Sequence, residues 1–261
     1  MEGAFAGKVV VITGGAGGIG RELCAQLMQL HAKLVVLDVD ISAISAKENL
    51  LAIQTDITDE VALKSAVEQA VDHFGQIDVL INNAGVTHIS CFMDLSEDHF
   101  STIMAVNFTA SVNMTRLCLP YLVKTKGRIV AVSSVAGFAP LYGRTAYSAS
   151  KHAMHGFFGS LAAELKSKSV SVTLVCPSFV RSRPELTTRA NQGLSSPGAV
   201  KKTTAGEQIE PQKAAKEILD VVAKRKGVLY LGRVSKIAHW LFYVWPSLYV
   251  KVMTRGAQKE F

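Results

Sequence analysis

A glycine-rich turn lies near the start of the chain, between a short apolar run and a helical segment. The run Lys8–Thr13 is rich in β-branched residues and ends at glycines, which predicts a buried strand. The turn covers residues 13–20 (TGGAGGIG), and apolar residues then recur at helical spacing up to His31. A lone glycine motif is a weak signal, but this one has the strand–turn–helix context that a nucleotide-binding turn requires.

Glycines at such a turn let the backbone bend sharply and approach a pyrophosphate closely. The helix that follows adds free N–H groups and a positive dipole end. We therefore predict that the turn binds a dinucleotide cofactor through Gly14, Gly18, Ile19 and Gly20. A flexible turn without a ligand is the alternative interpretation.

An acidic residue, Asp38, ends the second predicted strand, eighteen residues after Gly20. A carboxylate at this place can accept hydrogen bonds from both hydroxyls of an adenosine ribose, and it repels a 2′-phosphate. No Lys or Arg lies inside the glycine turn, although Arg21 follows it. The pattern predicts NAD rather than NADP as the cofactor. A solvated carboxylate at a strand end is the alternative.

Apolar β-type runs alternate with longer helical stretches along the chain. Further strands are predicted at Lys33–Asp38, Leu50–Thr55, Asp78–Ile81, Arg128–Val132, Val170–Val175 and Val228–Leu231. Helices are predicted at Gly18–His31, Asp59–Phe74, Ser96–Val123, Ala146–Lys166 and Pro211–Lys224. Such alternation implies right-handed βαβ units and a parallel sheet.

These elements predict an α/β fold with a doubly wound, Rossmann-type parallel sheet of about seven strands flanked by helices. No linker splits the chain, so a single domain over residues 1–232 is expected, followed by a tail at 233–261. A polar stretch with several glycines and prolines predicts a mobile substrate loop at about 183–210.

Composition excludes several other classes of protein. Hydrophobic residues make up 49% of the 261 residues and charged residues 19%, which excludes intrinsic disorder. The four cysteines are scattered, so we expect neither a disulfide framework nor a zinc site, and a reducing compartment is the default. The N-terminus does not resemble a secretory signal, and no apolar run reaches the roughly 18 residues of a membrane span. We expect a cytoplasmic protein.

Several further motifs occur in a fixed order along the chain. They are Asp56-Ile57, the run Asn82–Gly85 (NNAG), Asn107, Ser134, the run Tyr147–Lys151 (YSASK) and the run Cys176–Val180 (CPSFV). Together with the glycine turn, they make the chain resemble the short-chain dehydrogenase/reductase family in its compact single-domain form. The resemblance covers roughly Lys8 to Pro184, and more loosely Pro211 to Leu231.

The resemblance implies a cofactor role for residues beyond the glycine turn. Asp56 and Ile57 would contact the adenine ring, and Asn83, Ala84 and Gly85 would line the cofactor's path near the middle of the sheet. The stretch from Pro177 to Ser182 would close over the nicotinamide, with Pro177, Val180 and Ser182 as contacts. The chain departs from the family pattern at Ser178, where glycine is usual, and at Ser182, where threonine is usual; Ser182 keeps the hydroxyl.

The catalytic residues that the resemblance implies are Asn107, Ser134, Tyr147 and Lys151. Tyr147 and Lys151 are four residues apart on a predicted helix and so share one face. A nearby ammonium lowers a tyrosine pKa from its ordinary value of about 10, which would make Tyr147 a usable general base or acid. Ser134 could donate a hydrogen bond to the substrate oxygen, and Asn107 would connect Lys151 to solvent through water. Helix packing for Tyr147 and strand-end capping for Ser134 are the alternatives.

The C-terminal tail predicts an amphipathic helix that Pro246 kinks or breaks. Its apolar positions are Ile237, Trp240, Leu241, Val244, Trp245, Leu248 and Val252, and its polar positions are Ser235, His239, Tyr243, Ser247, Lys251 and Arg255. One interpretation is that the apolar face packs on the domain, covers the substrate pocket or meets a partner subunit. The other is peripheral contact with a membrane surface, which the flanking basic residues favour.

The leading functional hypothesis is an NAD-dependent oxidoreductase that interconverts a hydrophobic secondary alcohol and its ketone. The substrate class rests on analogy with relatives that act on lipophilic alcohols. A non-catalytic NAD(H)-binding regulator and a membrane-associating protein on the same fold are the alternatives. We expect a homodimer or homotetramer, as is common in the family. The net charge of +7 comes with no recognisable nucleic-acid-binding motif, so we expect no nucleic-acid partner.

Overall fold

The computed structural model of the protein describes residues 1–45, 47–181 and 208–257. In these ranges seven strands form one fully parallel sheet in the order β3-β2-β1-β4-β5-β6-β7. The strands are β1 Val9–Thr13, β2 Lys33–Asp38, β3 Leu50–Gln54, β4 Val79–Asn82, β5 Arg128–Val132, β6 Ser171–Pro177 and β7 Val228–Leu231. The predicted α/β fold is confirmed. Most of the predicted loop at 183–210 lies outside the described residues.

Helices connect the strands and follow the last one. They are α1 Glu2–Phe5, α2 Gly18–Gln29, α3 Glu60–Phe74, α4 Glu97–Met104, α5 Ala110–Thr125, α6 Thr145–Leu165, α7 Pro211–Ala223, α8 Arg233–Val244 and α9 Pro246–Ala257. Local sequence explains several ends. The Asp59 carboxylate caps α3 by accepting from the N–H of Val61 at 2.8 Å, and Gly75 ends this helix at a φ of 78°.

Two apolar layers enclose the sheet, one on each face. On one face α3, α5 and α6 pack against alternate strand residues such as Val9 and Val11. On the other face α2 and α7 cover the intervening residues, such as Val10 and Ile12. Because both faces are covered, every residue of β1 is buried, which explains its continuous apolar run.

The strand order reverses beside β1, because β2 lies on one side of it and β4 on the other. The crossover helices α2 and α3 leave on opposite faces of the sheet, so a crevice opens beyond the carboxyl ends of β1 and β4. The glycine turn follows β1 and the NNAG run begins at the end of β4. The topology therefore brings these two motifs, which are far apart in sequence, to one edge of the sheet.

The stretch Ser96–Val123, predicted as one long helix, is interrupted. The helix α4 ends at Met104, a π-helical turn follows over Ala105–Thr109, and α5 continues from Ala110. A π turn adds a residue to the helical repeat and shifts the direction of the side chains after it. Asn107 lies inside this turn, so the interruption sets where its amide is placed.

The tail forms two helices that separate at Pro246, as predicted, and the structure contradicts one alternative, that the apolar face packs on the domain. The residues against the domain are Ser235, Ala238 and Tyr249, which are buried, with Phe242 and Met253 partly buried. Most of the predicted apolar face is exposed instead, namely Ile237, Trp240, Val244, Trp245, Leu248 and Val252. Small and aromatic side chains on the other face fit the loop after β5, and spacing alone could not show this. No helix in the described ranges is long and apolar enough to span a bilayer.

A buried carboxylate ties the starts of β1 and β4 together. Asp78 is 2% exposed and accepts hydrogen bonds from Lys8 Nζ at 3.0 Å, from the Val9 N–H at 2.9 Å and from Gln76 Nε2 at 2.7 Å. A buried carboxylate needs such donors, because it has lost its contacts with water. If the carboxylate is substituted, the donors in turn lose their acceptor.

We expect Asp78→Ala to lower the free energy of unfolding by about 2–4 kcal/mol, because it leaves three donors without their acceptor. The measurement is urea denaturation followed by circular dichroism. The matched control is Asp72→Ala, an exposed aspartate on α3, which should change the free energy by less than about 0.5 kcal/mol. Equal effects of the two substitutions would contradict the assigned role of Asp78.

Candidate active site

The end of β1 is held against the end of β4 by hydrogen bonds that involve Asn83. The Thr13 hydroxyl accepts from the backbone N–H groups of Asn83 and Ala84, both at 3.1 Å. The Asn83 amide donates to the carbonyl oxygens of Thr13 at 3.0 Å and Gly14 at 2.9 Å. These four bonds fix the first residues of the glycine turn relative to the NNAG run.

The glycines of the turn serve two different needs. Gly14 has a φ of +66°, and a Cβ atom there would lie 2.8 Å from the Cα of Ala84. Gly20 is buried in the first turn of α2, where a side chain would overlap the Gly14 carbonyl. Gly18 has a φ of +51° but open space around it. Gly14 and Gly20 therefore let the backbone pack closely, whereas Gly18 leaves room for a ligand.

A cleft of about 800 Å³ opens at this edge of the sheet. It brings together the predicted residues Gly14, Gly18, Ile19, Asp38, Asp56, Ile57, Asn83, Ala84, Gly85, Ser134, Tyr147, Lys151, Pro177 and Val180. Two described residues among those predicted do not line it, because Gly20 and Asn107 are buried behind its wall. Ser182 lies outside the described residues.

The residues present fit a dinucleotide. The helix α2 begins after Gly17 with no side-chain cap, so the N–H groups of its first turn have no side-chain partner. Gly17, Gly18 and Ile19 line the cleft at this point, where a pyrophosphate would accept from those groups. The volume of the cleft also suits a ligand of this size.

Asp38 lies at the end of the cleft where a ribose would bind. Its side chain is 6% exposed, with one oxygen accepting from the Ala16 N–H at 2.9 Å and the other from the Asp40 N–H at 3.3 Å. Among the described residues that line the cleft, Lys151 is the only basic one. Arg21 is exposed on α2 and does not line it.

The Ser134 hydroxyl lies near the Tyr147 hydroxyl and favours the phenolate there. Two cations flank the Tyr147 ring: the Nζ of Lys151 and the guanidinium carbon of Arg144 each lie 5.8 Å from the ring centroid. Ser134 follows β5 and also accepts from the Ala136 N–H at 3.2 Å, while Tyr147 lies in the first turn of α6. The end of a strand and the start of a helix thus bring the two hydroxyls together.

The expected effect of Lys151 on Tyr147 is not what the structure shows. Burial raises the pKa of Tyr147, and the Ser134 hydroxyl and the charge of Arg144 lower it only in part. Lys151 flanks the ring, but its ammonium is buried and donates to the Val132 carbonyl at 2.9 Å. Burial lowers the pKa of Lys151 itself to about 8. The correction is that desolvation outweighs the charges in the protein without cofactor.

Asn107 is fully buried and holds two elements in place. Its amide donates to the Val86 carbonyl and to the Ser150 hydroxyl, both at 3.0 Å, and its Oδ1 accepts from the Val86 N–H at 2.8 Å. A Cβ atom on Gly85 would lie 3.2 Å from that Oδ1 and 3.5 Å from Lys151 Nζ. Glycine therefore leaves a space that both polar groups face.

The segment after β6 is anchored on both sides of residues 182–207. Val180 forms a parallel bridge with Ile209, and the Arg181 guanidinium pairs with the Glu210 carboxylate at 2.7 Å. Pro177 ends β6 and lines the cleft together with Ser178, the residue that replaces the usual glycine. The Ser178 N–H donates to the Leu231 carbonyl at 3.2 Å, so this part of the wall is tied to β7.

Three further groups contribute to the site. Thr13 anchors the NNAG run, the Val132 carbonyl holds Lys151, and Arg144 donates to the Thr87 hydroxyl at 2.6 Å. A backbone carbonyl leaves no signal in a sequence. Arg144 had one, because it lies three residues before Tyr147 at the start of a helix, where the two side chains can approach each other.

Comparisons with known proteins agree with this architecture. A family profile described as short chain dehydrogenase matches residues 8–193. The chain is 32% identical over 266 residues to a Mus musculus protein, Dehydrogenase/reductase SDR family member 7B, covering 97% of this chain and 82% of that protein.

Solved structures share the fold at lower identity. A short chain dehydrogenase/reductase of Burkholderia phymatum in complex with NAD matches with a TM-score of 0.81 and 23% identity, covering 94% of this chain and 96% of that one. A short chain dehydrogenase of Burkholderia cenocepacia in complex with NADP matches with a TM-score of 0.80 and 22% identity, covering 95% and 98%. The two structures together show that neighbours on this fold bind either nucleotide.

We expect Arg144→Gln to raise the pKa of Tyr147 further, because the substitution removes a positive charge that favours the phenolate. The measurement is NMR titration of ring-labelled tyrosine in the cofactor-free protein, with Tyr147→Phe assigning the signal. Arg144→Lys keeps the charge and should stay near the unsubstituted protein. Thr87→Val removes the hydrogen bond from Arg144 but keeps the arginine charge, so the pKa of Tyr147 should also stay near that of the unsubstituted protein. An unchanged midpoint in Arg144→Gln would contradict the electrostatic role.

Proposed function

The chain belongs to the short-chain dehydrogenase/reductase family, and from this premise we propose that it is an NAD-dependent oxidoreductase interconverting a hydrophobic secondary alcohol and its ketone. One observation carries the proposal. The side chains of Ser134, Tyr147 and Lys151 converge on the wall of a cleft that also contains the glycine turn and Asp38. A dinucleotide lying along that cleft would end beside the two hydroxyls.

In the proposed reaction, Tyr147 takes the proton from the substrate hydroxyl during oxidation and returns it to the carbonyl oxygen during reduction. Ser134, whose hydroxyl lies near that of Tyr147, donates to the same substrate oxygen and stabilises negative charge on it. When bound, the cofactor supplies the hydride acceptor or donor, and in its oxidised form a positive charge beside the phenol. The glycine turn and Asp38 would hold its pyrophosphate and ribose.

The surroundings of Lys151 support a path for the proton. Its pKa of about 8 lets the ammonium form release a proton, and the neutral amine accept one, near neutral pH. Its Nζ and the Oδ1 of Asn107 both face the space that Gly85 leaves open. We assign Lys151 and Asn107 to a relay that carries the proton from Tyr147 through water to solvent. Lys151 is also assigned to the nicotinamide ribose.

The preference for a lipophilic substrate rests on the walls around Tyr147. Val86, Ala105, Val106 and Val132 line the cleft near the reacting groups, two of them supplied by the π turn. Apolar walls favour the transfer of apolar substrate surface out of water. A polyol would leave hydroxyl groups without partners against these residues.

Self-association stays a prediction. The π turn before α5 carries Phe108 and the helix α6 carries Phe157, and these rings make a T-shaped contact at 6.1 Å between their centroids. Both side chains are only partly buried in this chain. This surface supports the expected homodimer or homotetramer.

We expect the unsubstituted protein to bind NADH more tightly than NADPH, because the Asp38 carboxylate repels a 2′-phosphate. Asp38→Ala should weaken NADH binding by about tenfold or more, since a hydrogen bond to a charged group contributes about 1.5–3 kcal/mol. The same substitution should narrow the difference in affinity between NADH and NADPH. The measurement is fluorescence titration with both nucleotides. Asp38→Asn is the control, because it keeps an acceptor for the Ala16 N–H but loses the charge. Tighter binding of NADPH by the unsubstituted protein would overturn the NAD assignment.

We expect Tyr147→Phe to lose turnover by about 10²- to 10⁴-fold, the usual contribution of a positioned general base, while NADH binding changes little. The assay follows NADH formation from NAD⁺ with a panel of aliphatic, aromatic, steroid and polyol alcohols. Tyr121→Phe, on α5 outside the cleft, is the matched control and should keep full activity. Substantial residual turnover would remove Tyr147 from the mechanism. No turnover on any alcohol by the unsubstituted protein, with NADH still bound, would favour the non-catalytic regulator.

A further inference from the structure

The helices α8 and α9 expose a continuous apolar surface, here called the tail face. Helical spacing places Ile237, Trp240 and Val244 on one side of α8, and Leu248 and Val252 on one side of α9, with Trp245 between the helices. Their exposed fractions are 62%, 58%, 52%, 43%, 57% and 59%, in that order. Contiguous apolar patches of this kind on a water-soluble surface mark interaction sites.

The opposite side of the two helices is fixed to the domain. The Ser235 hydroxyl is fully buried and donates to the Cys176 carbonyl at 2.7 Å. The Tyr249 hydroxyl donates to the Pro140 carbonyl at 3.1 Å, and the Tyr249 ring packs against Phe242 at 5.4 Å between centroids. These contacts hold the helices in one orientation, so the tail face cannot turn inward without breaking them.

The charges around the tail face have one sign. Arg233, Lys236, Lys251 and Arg255 are exposed on the two helices. Between Asp220 and Glu260 the sequence contains no acidic residue. A basic rim around an apolar surface complements a layer of negative headgroups above hydrocarbon.

Two features favour a bilayer over a protein as the occupant. Both tryptophans of the chain, Trp240 and Trp245, lie on the tail face, and Tyr243 beside them is 67% exposed. Aromatic side chains with one polar edge suit the boundary between headgroups and hydrocarbon. Each helix has 12 residues, or about 18 Å, which is too short to cross the roughly 30 Å hydrocarbon core but sufficient to lie flat in the interface.

The tail helices contact the loop between Ser134 and Tyr147, two residues that line the cleft. The sulfur of Met253, on α9, accepts from the Tyr142 N–H at 3.1 Å, and the Tyr249 hydroxyl donates to the Pro140 carbonyl. The Ser90 N–H donates to the Gly143 carbonyl at 3.0 Å, so the same loop also contacts the segment that carries the exposed residues Phe92 and Met93.

We propose that the tail face docks flat on the surface of an anionic phospholipid bilayer. Resting on the proposed function, we further infer that docking brings the entrance of the cleft to the bilayer, so that a lipophilic substrate enters from the hydrocarbon rather than from water. The docking itself needs neither cofactor nor substrate.

The first experiment measures binding of the full chain to vesicles of phosphatidylcholine alone or mixed with phosphatidylserine, without nucleotide. We expect co-sedimentation with the mixed vesicles at low salt, several-fold weaker binding to the neutral ones, and weakening by added salt. Because both tryptophans lie on the tail face, their fluorescence should shift to the blue on binding and be quenched by brominated lipids. No sedimentation and no fluorescence shift with anionic vesicles would overturn the proposal.

Two substituted proteins test the tail face directly. The double variant Trp240→Ser, Trp245→Ser should bind anionic vesicles at least tenfold more weakly and still fold, because both side chains are exposed. Lys236→Glu with Lys251→Glu should lose the preference for anionic lipid. The controls are Val61→Ser, an apolar residue 80% exposed on α3, and Lys213→Glu with Lys216→Glu on α7; both should bind as the unsubstituted protein does.

Two outcomes separate this proposal from its competitors. If the tryptophan variant splits an oligomer and vesicle binding is absent, the tail face is an interface between copies and the bilayer proposal is wrong. If vesicles bind, the tryptophan variant should show a raised KM for a long-chain alcohol presented in vesicles and an unchanged kcat for a short soluble alcohol. Equal KM values for the vesicle-borne alcohol would overturn the delivery step while leaving the oxidoreductase proposal intact.

Discussion

The amide of Asn83 joins the two strand ends on which the rest of the site depends. By donating to the last carbonyl of β1 and to the first of the glycine turn, it fixes the turn relative to β4. The glycine turn then determines where α2 begins. The chain after Asn83 leads to Gly85 and Val86, which lie against Asn107. The proposed place for the cofactor and the proposed proton relay therefore share one support.

Around Tyr147, solvent exclusion and charge act in opposite directions. Burial raises the pKa of the phenol, while Ser134 and Arg144 lower it, and burial also lowers the pKa of Lys151 to about 8. In the protein alone, burial therefore favours the neutral phenol of Tyr147 and the neutral amine of Lys151. A positively charged ligand in the cleft would change this balance in favour of the phenolate. The charge balance of the site therefore depends on what occupies the cleft.

Local sequence patterns predict much of this fold, and the rest depends on contacts between distant residues. The alternation of apolar runs and helical stretches predicts all seven strands, and the signal is clearest for the inner ones, which are buried on both faces and therefore largely apolar. The π turn at Ala105–Thr109 has no such signature, since its sequence suits an ordinary helix. Periodicity predicts helices in the tail, but some of the residues that pack on the domain, such as Ala238 and Tyr249, belong to neither of the predicted faces. Ser235 and Tyr249 pack inward because the Cys176 and Pro140 carbonyls need donors, and only the folded chain reveals those acceptors.

The bridge between Val180 and Ile209, with the ion pair between Arg181 and Glu210, has a consequence for how proteins of this design can diversify. Both attachment points are secured by bonds of their own, and α7 begins immediately after them. Doubling the length of chain between two fixed ends costs only about 0.6 kcal/mol of closure entropy. A longer or shorter chain between these two points would therefore leave the sheet and Tyr147 in place. Chain length at this position and the stability of the fold can thus change separately, one at a time, in a lineage or in an engineered variant.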